Sequence, residues 1–360
     1  MFISDIFKSL IPLFYIHDAI CVSPQQTIGV IDLDSIAVFY NNKFIANEPT
    51  NINIPLAILR RMNKGIRMGV SAAMPLIESS ISINGVIIGS SNLGMTDAIS
   101  FLDQIIDYNE GILSPGSFVN GSSNTLAAQI ALLSKNNGYN ITHVHRGLAF
   151  ENAIIDVSLQ LSQHTDGTYI LGAADEYSEQ NYNIEYKAGW YKKELINSNE
   201  LFNSKTEGTL IGEIAAMFKV SNEQQDAICK VIGTATFHTE DTRTVQQKLK
   251  EFISKNLIEE KNIDLLISGE NGDTRFLPFY AAVESFIVEK KSVARYKHLM
   301  GECGISSAGS LWLAYYILKY QKIPSSLLKI KGEEKSISNI LIYNNFRGSQ
   351  HSLILISIND

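Results

Sequence analysis

Cysteine is scarce in this chain: Cys21, Cys229 and Cys303 are the only three among 360 residues. Odd in number, far apart and without CxxC spacing, they exclude a disulfide framework and a recognisable zinc site. A reducing cytoplasm is the compartment they fit. Long uncharged runs are missing too. The apolar stretch over residues 2–22 is interrupted by Asp5, Lys8, His17 and Asp18, and no later one reaches the roughly 20 residues that span a bilayer. No membrane span is expected. There is no excess of positive charge either, since 30 Lys plus Arg against 37 Asp plus Glu leave −7, which gives no general attraction to nucleic acid. Residues 89–94 and 269–272 hold neither GxGxxG nor GxxxxGK(S/T), so they read as tight turns rather than phosphate loops. The sequence calls for no metal and no cofactor.

What the chain has is apolar content, 45% hydrophobic against 19% charged, enough for a globular protein with a sizeable core. It also carries an internal repeat offset by about half its length. In the first half Val86-Ile87-Ile88 leads into the small-residue turn 89–94; in the second, Leu265-Leu266-Ile267 leads into the turn 268–273. Each reads as a buried strand and its turn. Downstream, Asn124 opens the helical stretch TLAAQIALL and Ser306 opens SAGSLWLAYYIL, both apolar on more than one face and so expected to be buried. Strands follow near 140–145 and 168–173 in the first half and near 337–343 and 352–358 in the second. Residues 177–205, rich in Asn, Glu, Lys and Tyr, read as a surface excursion. The expected organisation is a first half at 1–176, an excursion at 177–205 and a second half at 206–360.

Five segments carry a family resemblance. Gly138-Tyr139-Asn140-Ile141-Thr142, then Gly147-Leu148-Ala149-Phe150 and a helix, resembles the nucleophile stretch of β-ketoacyl synthases. Residues 167–176 (GTYILGAADE) look like the Gly-rich strand ending in Glu, and residues 212–216 (GEIAA) like GEGAA. Lys297-His298-Leu299-Met300-Gly301-Glu302 with Ala308-Gly309 resembles KxxxGH…AAG, and residues 344–349 resemble the terminal NSFGFGG turn. The order is the family's, over about residues 85–358. The resemblance implies an α/β thiolase-like fold, two duplicated α/β halves packed as a five-layered αβαβα sandwich.

Condensation needs a thiolate to carry the acyl chain and two imidazoles at the decarboxylation site. Here the Cys position falls on Gly147 and the two His positions on Gly269 and Glu302; only Lys297 is retained. Glycine cannot attack a thioester, and an ionised Glu302 repels an enolate. The pattern is similar to the chain-length factors of type II fatty acid and polyketide systems, best to the subunits of aryl polyene and flexirubin-type pathways, which pair with an active ketosynthase. Residues 115–124 resemble their Pro-x-x-Phe-x-Asn and Ser-x-x-Asn segments. Departures are Tyr139 for Pro and Arg347 for a Gly in the last turn, where Arg347 is positioned to fill the remnant pocket. The resemblance further implies tunnel residues Phe118, Phe150 and Phe346, a dimer strand including Asn140, Ile141, Thr142, His143 and His145, and a ketosynthase paralogue and an acyl carrier protein as partners.

Other readings stand beside this one. His143 and His145 alternate on one strand face, the spacing of a metal pair, but with no further ligand nearby they read as interface or core. Cys303 with His298 or His351 as base would give an acyltransferase or acyl hydrolase of altered chemistry, whereas a buried structural Cys is the commoner case. A homodimeric acyl-binding scaffold is the third reading. Arg60, Arg61, Lys64 and Arg67 read as the solvated face of an amphipathic helix, and Lys290, Lys291 and Arg295 as the place where an acidic carrier protein docks.

Overall fold

A computed structural model describes residues 12–29, 31–49, 53–79, 82–256, 258–287, 291–333 and 336–359. Among these, strands β1 (Phe14–Val22), β2 (Gly85–Ser90), β3 (Tyr139–Val144), β4 (Thr168–Asp175) and β5 (Ile214–Ser221) form one half-sheet in the order β3-β2-β4-β5-β1. Strands β6 (Cys229–His238), β7 (Leu265–Ser268), β8 (Ser292–Arg295), β9 (Asn339–Phe346) and β10 (Gln350–Ile358) repeat it as β8-β7-β9-β10-β6, with Leu328–Ile330 added at the far edge. The duplication is therefore strand for strand. Antiparallel pairing of β1 with β6, from Phe14 opposite Val231 to Ile16 opposite Cys229, joins the halves into an 11-stranded sheet.

Side-chain alternation turns that sheet into layers, because successive residues of a strand face opposite sides. Ile87, Leu171 and Phe218 of the first half, and Ile267, Ile342 and Ile354 of the second, face a shared core with helices α5 (Ala149–Gln163) and α8 (Ser306–Tyr320). Their neighbours Val86, Ile88, Ile170 and Met217 face α1 (Lys64–Glu78) and α4 (Thr125–Ser134). On the other side Leu266, Leu341 and Leu353 face α6 (Thr242–Lys255) and α7 (Leu277–Ile287). Helices α1 and α4, a half-sheet, α5 and α8, a half-sheet, and α6 and α7 make the five layers of a thiolase-like α/β fold. Between β2 and α4 lie α2 (Met95–Asp107) and α3 (Pro115–Asn120), neither of which has a buried residue.

Four expectations change. The helix repeating α4 is α7, and α8 repeats α5: the apolar run of α8 resembles that of α4 but follows the third strand of its half, as α5 does. The strand β5 lies between β4 and β1, so the chain changes halves between residues 221 and 229 rather than at 206. And residues 177–205 are more than a surface crossing, since Lys192 and Ser198 are fully buried and Tyr182 and Tyr191 nearly so. The basic cluster also differs from a free solvated face, because Lys64 pairs with buried Glu213 and Arg67 with Glu48 at 2.6 Å.

Candidate functional site

Parallel strands deliver their C-terminal ends to one face of an α/β sheet, where ligand sites form. β2 ends in the turn 90–94, which Asp175 at the end of β4 organises. Its Oδ1 accepts from Ser90 Oγ and Ser91 N at 2.9 Å and from Asn92 N at 2.8 Å. After β3 the chain turns sharply into α5 through Arg146, held at φ 46°, a left-handed conformation that non-glycine residues adopt at a cost. The next residue is Gly147, whose N–H donates to Gln350 Oε1 at 3.0 Å. The strained turn persists without a nucleophile.

The space a side chain would need at 147 is taken. A Cβ there would lie 2.5 Å from Phe346 Cγ and closer still to Phe346 Cβ, next to the backbone where little can yield. At Gly269 a Cβ would collide with the Asn344 amide oxygen. Glu302, the third altered position, is saturated: its Oε1 accepts from Lys297 Nζ at 2.5 Å and from Ser306 Oγ at 3.1 Å, and its Oε2 from Asn271 Nδ2 at 3.0 Å. Lys297 has no solvent exposure and donates also to Ser306 Oγ at 2.9 Å. A buried ion pair built this way resists removal of either partner, since the other would be left as a bare charge.

Above these positions lies a cavity of about 40 Å³ walled by Asp175, Glu176, Glu302, Cys303, Phe346 and Arg347, with Glu185, Trp190 and Tyr191 contributed by the excursion. That is room for about three waters, not for an acyl chain. Arg347, at φ 55°, sets its guanidinium 4.8 Å from the Trp190 and Phe346 ring centres and pairs with Glu185. It builds the wall of the cavity. Burial pushes the Asp175 carboxyl up to about 6, against the hydrogen bonds of the 90–93 turn that pull it down. Burial, then the nearby charges of Asp97, Glu213 and Asp175, pushes Glu176 up to about 7 despite its hydrogen bond from Gly65 N. Burial also raises the Cys303 thiol, helped by Asp175 and Glu302. Neither proposed base reaches this cavity. His298 bonds the Ser326 carbonyl at 2.9 Å and His351 bonds Tyr343 Oη at 2.9 Å, and burial pushes both down to about 4. A thiol held protonated with no imidazole beside it is a poor nucleophile.

The remaining residues singled out from sequence are scattered. Phe150 has no exposure and packs against Phe218 at 5.8 Å in the central core, lining none of the described cavities. Phe118 is 66% exposed, 5.3 Å from Phe101, in a surface groove of about 740 Å³ between α2 and α3 that Leu102 and Val119 also line. β3 is an edge strand, paired only with β2 among the described residues. Asn140 is tied to the Ala127 carbonyl at 2.8 Å, His143 to Asp156 at 2.8 Å and His145 to Asn152 at 3.0 Å, while Ile141 packs inward on the central core and Thr142 Oγ1 is buried without a partner. The outward apolar side chains are instead Val144 and Leu159, each 55% exposed. Leu159 was not singled out from the sequence, where α5 mixes apolar and polar residues. Lys290 lies outside the described residues. Lys291 sits 3.8 Å from Asp264, and Arg295 pairs with Glu270 at 3.0 Å and lies 3.8 Å from the centre of the Phe202 ring. Among the described residues no three metal-ligating side chains converge, and no helix is long and apolar enough to cross a membrane.

No protein-family model matches the sequence, and no curated protein matches it. Solved structures do match, along nearly the whole chain. The ishigamide ketosynthase/chain length factor superposes with a TM-score of 0.75 at 12% identity, over 96% of this chain and 99% of that one. A β-ketoacyl synthase from Burkholderia phymatum STM815 gives 0.73 at 14%, over 96% and 99%. The ketosynthase ApeO in complex with its chain length factor ApeC, from Xenorhabdus doucetiae, gives 0.74 at 13%, over 98% and 99%. At these identities the likeness establishes the fold, which is that of the ketosynthases.

Proposed function

We propose that this chain is a non-catalytic ketosynthase-like subunit, a chain-length factor, that pairs with an active β-ketoacyl carrier-protein synthase and shapes its acyl tunnel. One observation supports the reading: at Gly147, which the sequence resemblance puts at the nucleophile position of a ketosynthase, Phe346 takes the space a side chain would need. A subunit that cannot hold an acyl group acts through another that can. Similar solved structures include a ketosynthase in complex with its chain length factor, and the unpaired edge of β3 with exposed Val144 and Leu159 supplies a surface for such a partner. Another similar structure is a type II ketosynthase in complex with its acyl carrier protein, and a carrier protein is proposed as the second partner here. Within type II systems, the aryl polyene or flexirubin-type pathways are the proposed setting, on the sequence resemblance around residues 115–124. The test is to incubate the purified chain with radiolabelled acyl carrier protein. No thioester forms on it if the proposal holds, and stable acylation of this chain defeats it.

A further inference from the structure

The cavity walled by Phe346 and Arg347 is lined by more carboxylic acids than have a cation beside them. Five of its lining residues are carboxylic acids: Asp175, Glu176, Glu185, Asp273 and Glu302. Three of them have a cation at hand, Glu185 with Arg347, Asp273 with Arg275 at 2.6 Å and Glu302 with Lys297 at 2.5 Å. Asp175 and Glu176 form no ion pair among the described residues. Each uses one oxygen for structure, Asp175 Oδ1 on the turn 90–92 and Glu176 Oε2 on Gly65 N at 2.8 Å. The other oxygen of each, Asp175 Oδ2 and Glu176 Oε1, is buried without any hydrogen-bond partner. Asp175 is 1% exposed and Glu176 7%. Buried acceptors of this kind are normally satisfied, and these two belong to neighbouring residues that both line one cavity.

We propose that this cavity is a binding site for a small nitrogen cation, a primary ammonium or guanidinium group, held by Asp175 Oδ2 and Glu176 Oε1. Such a group supplies several N–H donors together with the missing positive charge. A metal ion fits less well, since no three ligating side chains converge among the described residues. Water would satisfy the oxygens and leave the charge. The wall already shows how it receives such a group: the Arg347 guanidinium lies 4.8 Å from the Trp190 ring centre. The volume limits the ligand to a head of a few heavy atoms. In place of an acyl thioester, the remnant site takes a cation, whether or not the chain pairs with a ketosynthase.

Isothermal titration of the full chain at pH 8 with methylammonium or methylguanidinium chloride, against sodium chloride at equal ionic strength, tests this. One saturable site is expected for at least one nitrogen cation and none for sodium. Asp175→Asn and Glu176→Gln each keep an oxygen for the turn and for Gly65 while losing the charge, and each should weaken binding at least tenfold. Cys303 lines the same cavity, so the bound cation should also slow its modification by methyl methanethiosulfonate in the unaltered chain, a readout that needs no variant. Equal heats for sodium and the nitrogen cations with no protection of Cys303, or binding unchanged in both variants, overturns the proposal; so does tighter binding of manganese than of either nitrogen cation.

Discussion

A cysteine at position 147 would have its Cβ inside the van der Waals radius of Phe346. Gly147→Cys should therefore cost about 1–3 kcal/mol of stability through overpacking, read as a lower urea midpoint, and give no condensation product, because Gly269 and Glu302 supply no imidazole. Product from this variant would mean that another group performs the decarboxylation. The unpaired acids next to it make a second prediction. The ordinary values are 3.8 for Asp175 and 4.5 for Glu176, and the folded values lie near 6 and 7. A carboxyl whose value is raised on folding holds its proton longer in the folded state, so stability is lost as pH climbs from about 4 to 7 and then levels off. For Asp175 alone the loss is about 3 kcal/mol. His298 and His351, kept neutral by burial, act in the opposite direction below about 6.5. The sign is thus read from a difference: the Asp175→Asn, Glu176→Gln double variant should gain stability over the unaltered chain between pH 4 and 7. A difference flat across that range contradicts the placement of these two carboxyls.

Among the elements, β3 and α5 carry the surface proposed for pairing. Val144→Asp and Leu159→Asp put charge on an outward surface and should leave the isolated chain folded while weakening pairing by several kcal/mol, as an unpaired carboxylate buried at an interface does; size-exclusion chromatography of the co-expressed pair measures it. Full pairing by both variants would move the interface elsewhere. Ile141→Asp is the poorer probe, because Ile141 packs into the central core. The elements themselves were largely legible. The runs at 85–90, 168–175, 306–320 and 350–358 announce buried strands and a buried helix through their apolar centres. Sheet membership was not, since the run Ile214–Ser221 looks the same whichever half receives it. That choice depends on hydrogen bonds to β1 and β4, which no local pattern records. Gly147, Gly269 and Glu302 could be singled out one by one, but Phe346 over Gly147 joins residues about 200 apart and appears only once α5 meets the β9–β10 turn. The charge imbalance of the cavity was hidden for the same reason.

At the scale of the molecule the question is what the subunit does to a product. Phe118 lies in an open groove beside Phe101 and is exposed in the single chain, so a tunnel reaching it has to cross from a partner. Phe118→Ala should lengthen the chains made by the reconstituted pair at normal pairing yield, whereas Phe150→Ala, in the core, should cost about 3–5 kcal/mol and leave chain length unchanged. Mass spectrometry of carrier-bound products separates them, and equal length distributions for the Phe118 variant and the unaltered pair would remove the groove from the tunnel. A carrier protein docking at Arg295 has to compete with Glu270 and Phe202 for its guanidinium. The central claim is that this chain works through a partner without carrying the acyl group itself. Native mass spectrometry tests it most directly: the chain is co-expressed with a ketosynthase that retains its cysteine and both histidines, then incubated with acyl carrier protein. The account predicts a one-to-one heterodimer with the acyl mass on the partner alone; an acyl adduct on this chain, or a chain that remains separate from the ketosynthase, would contradict it.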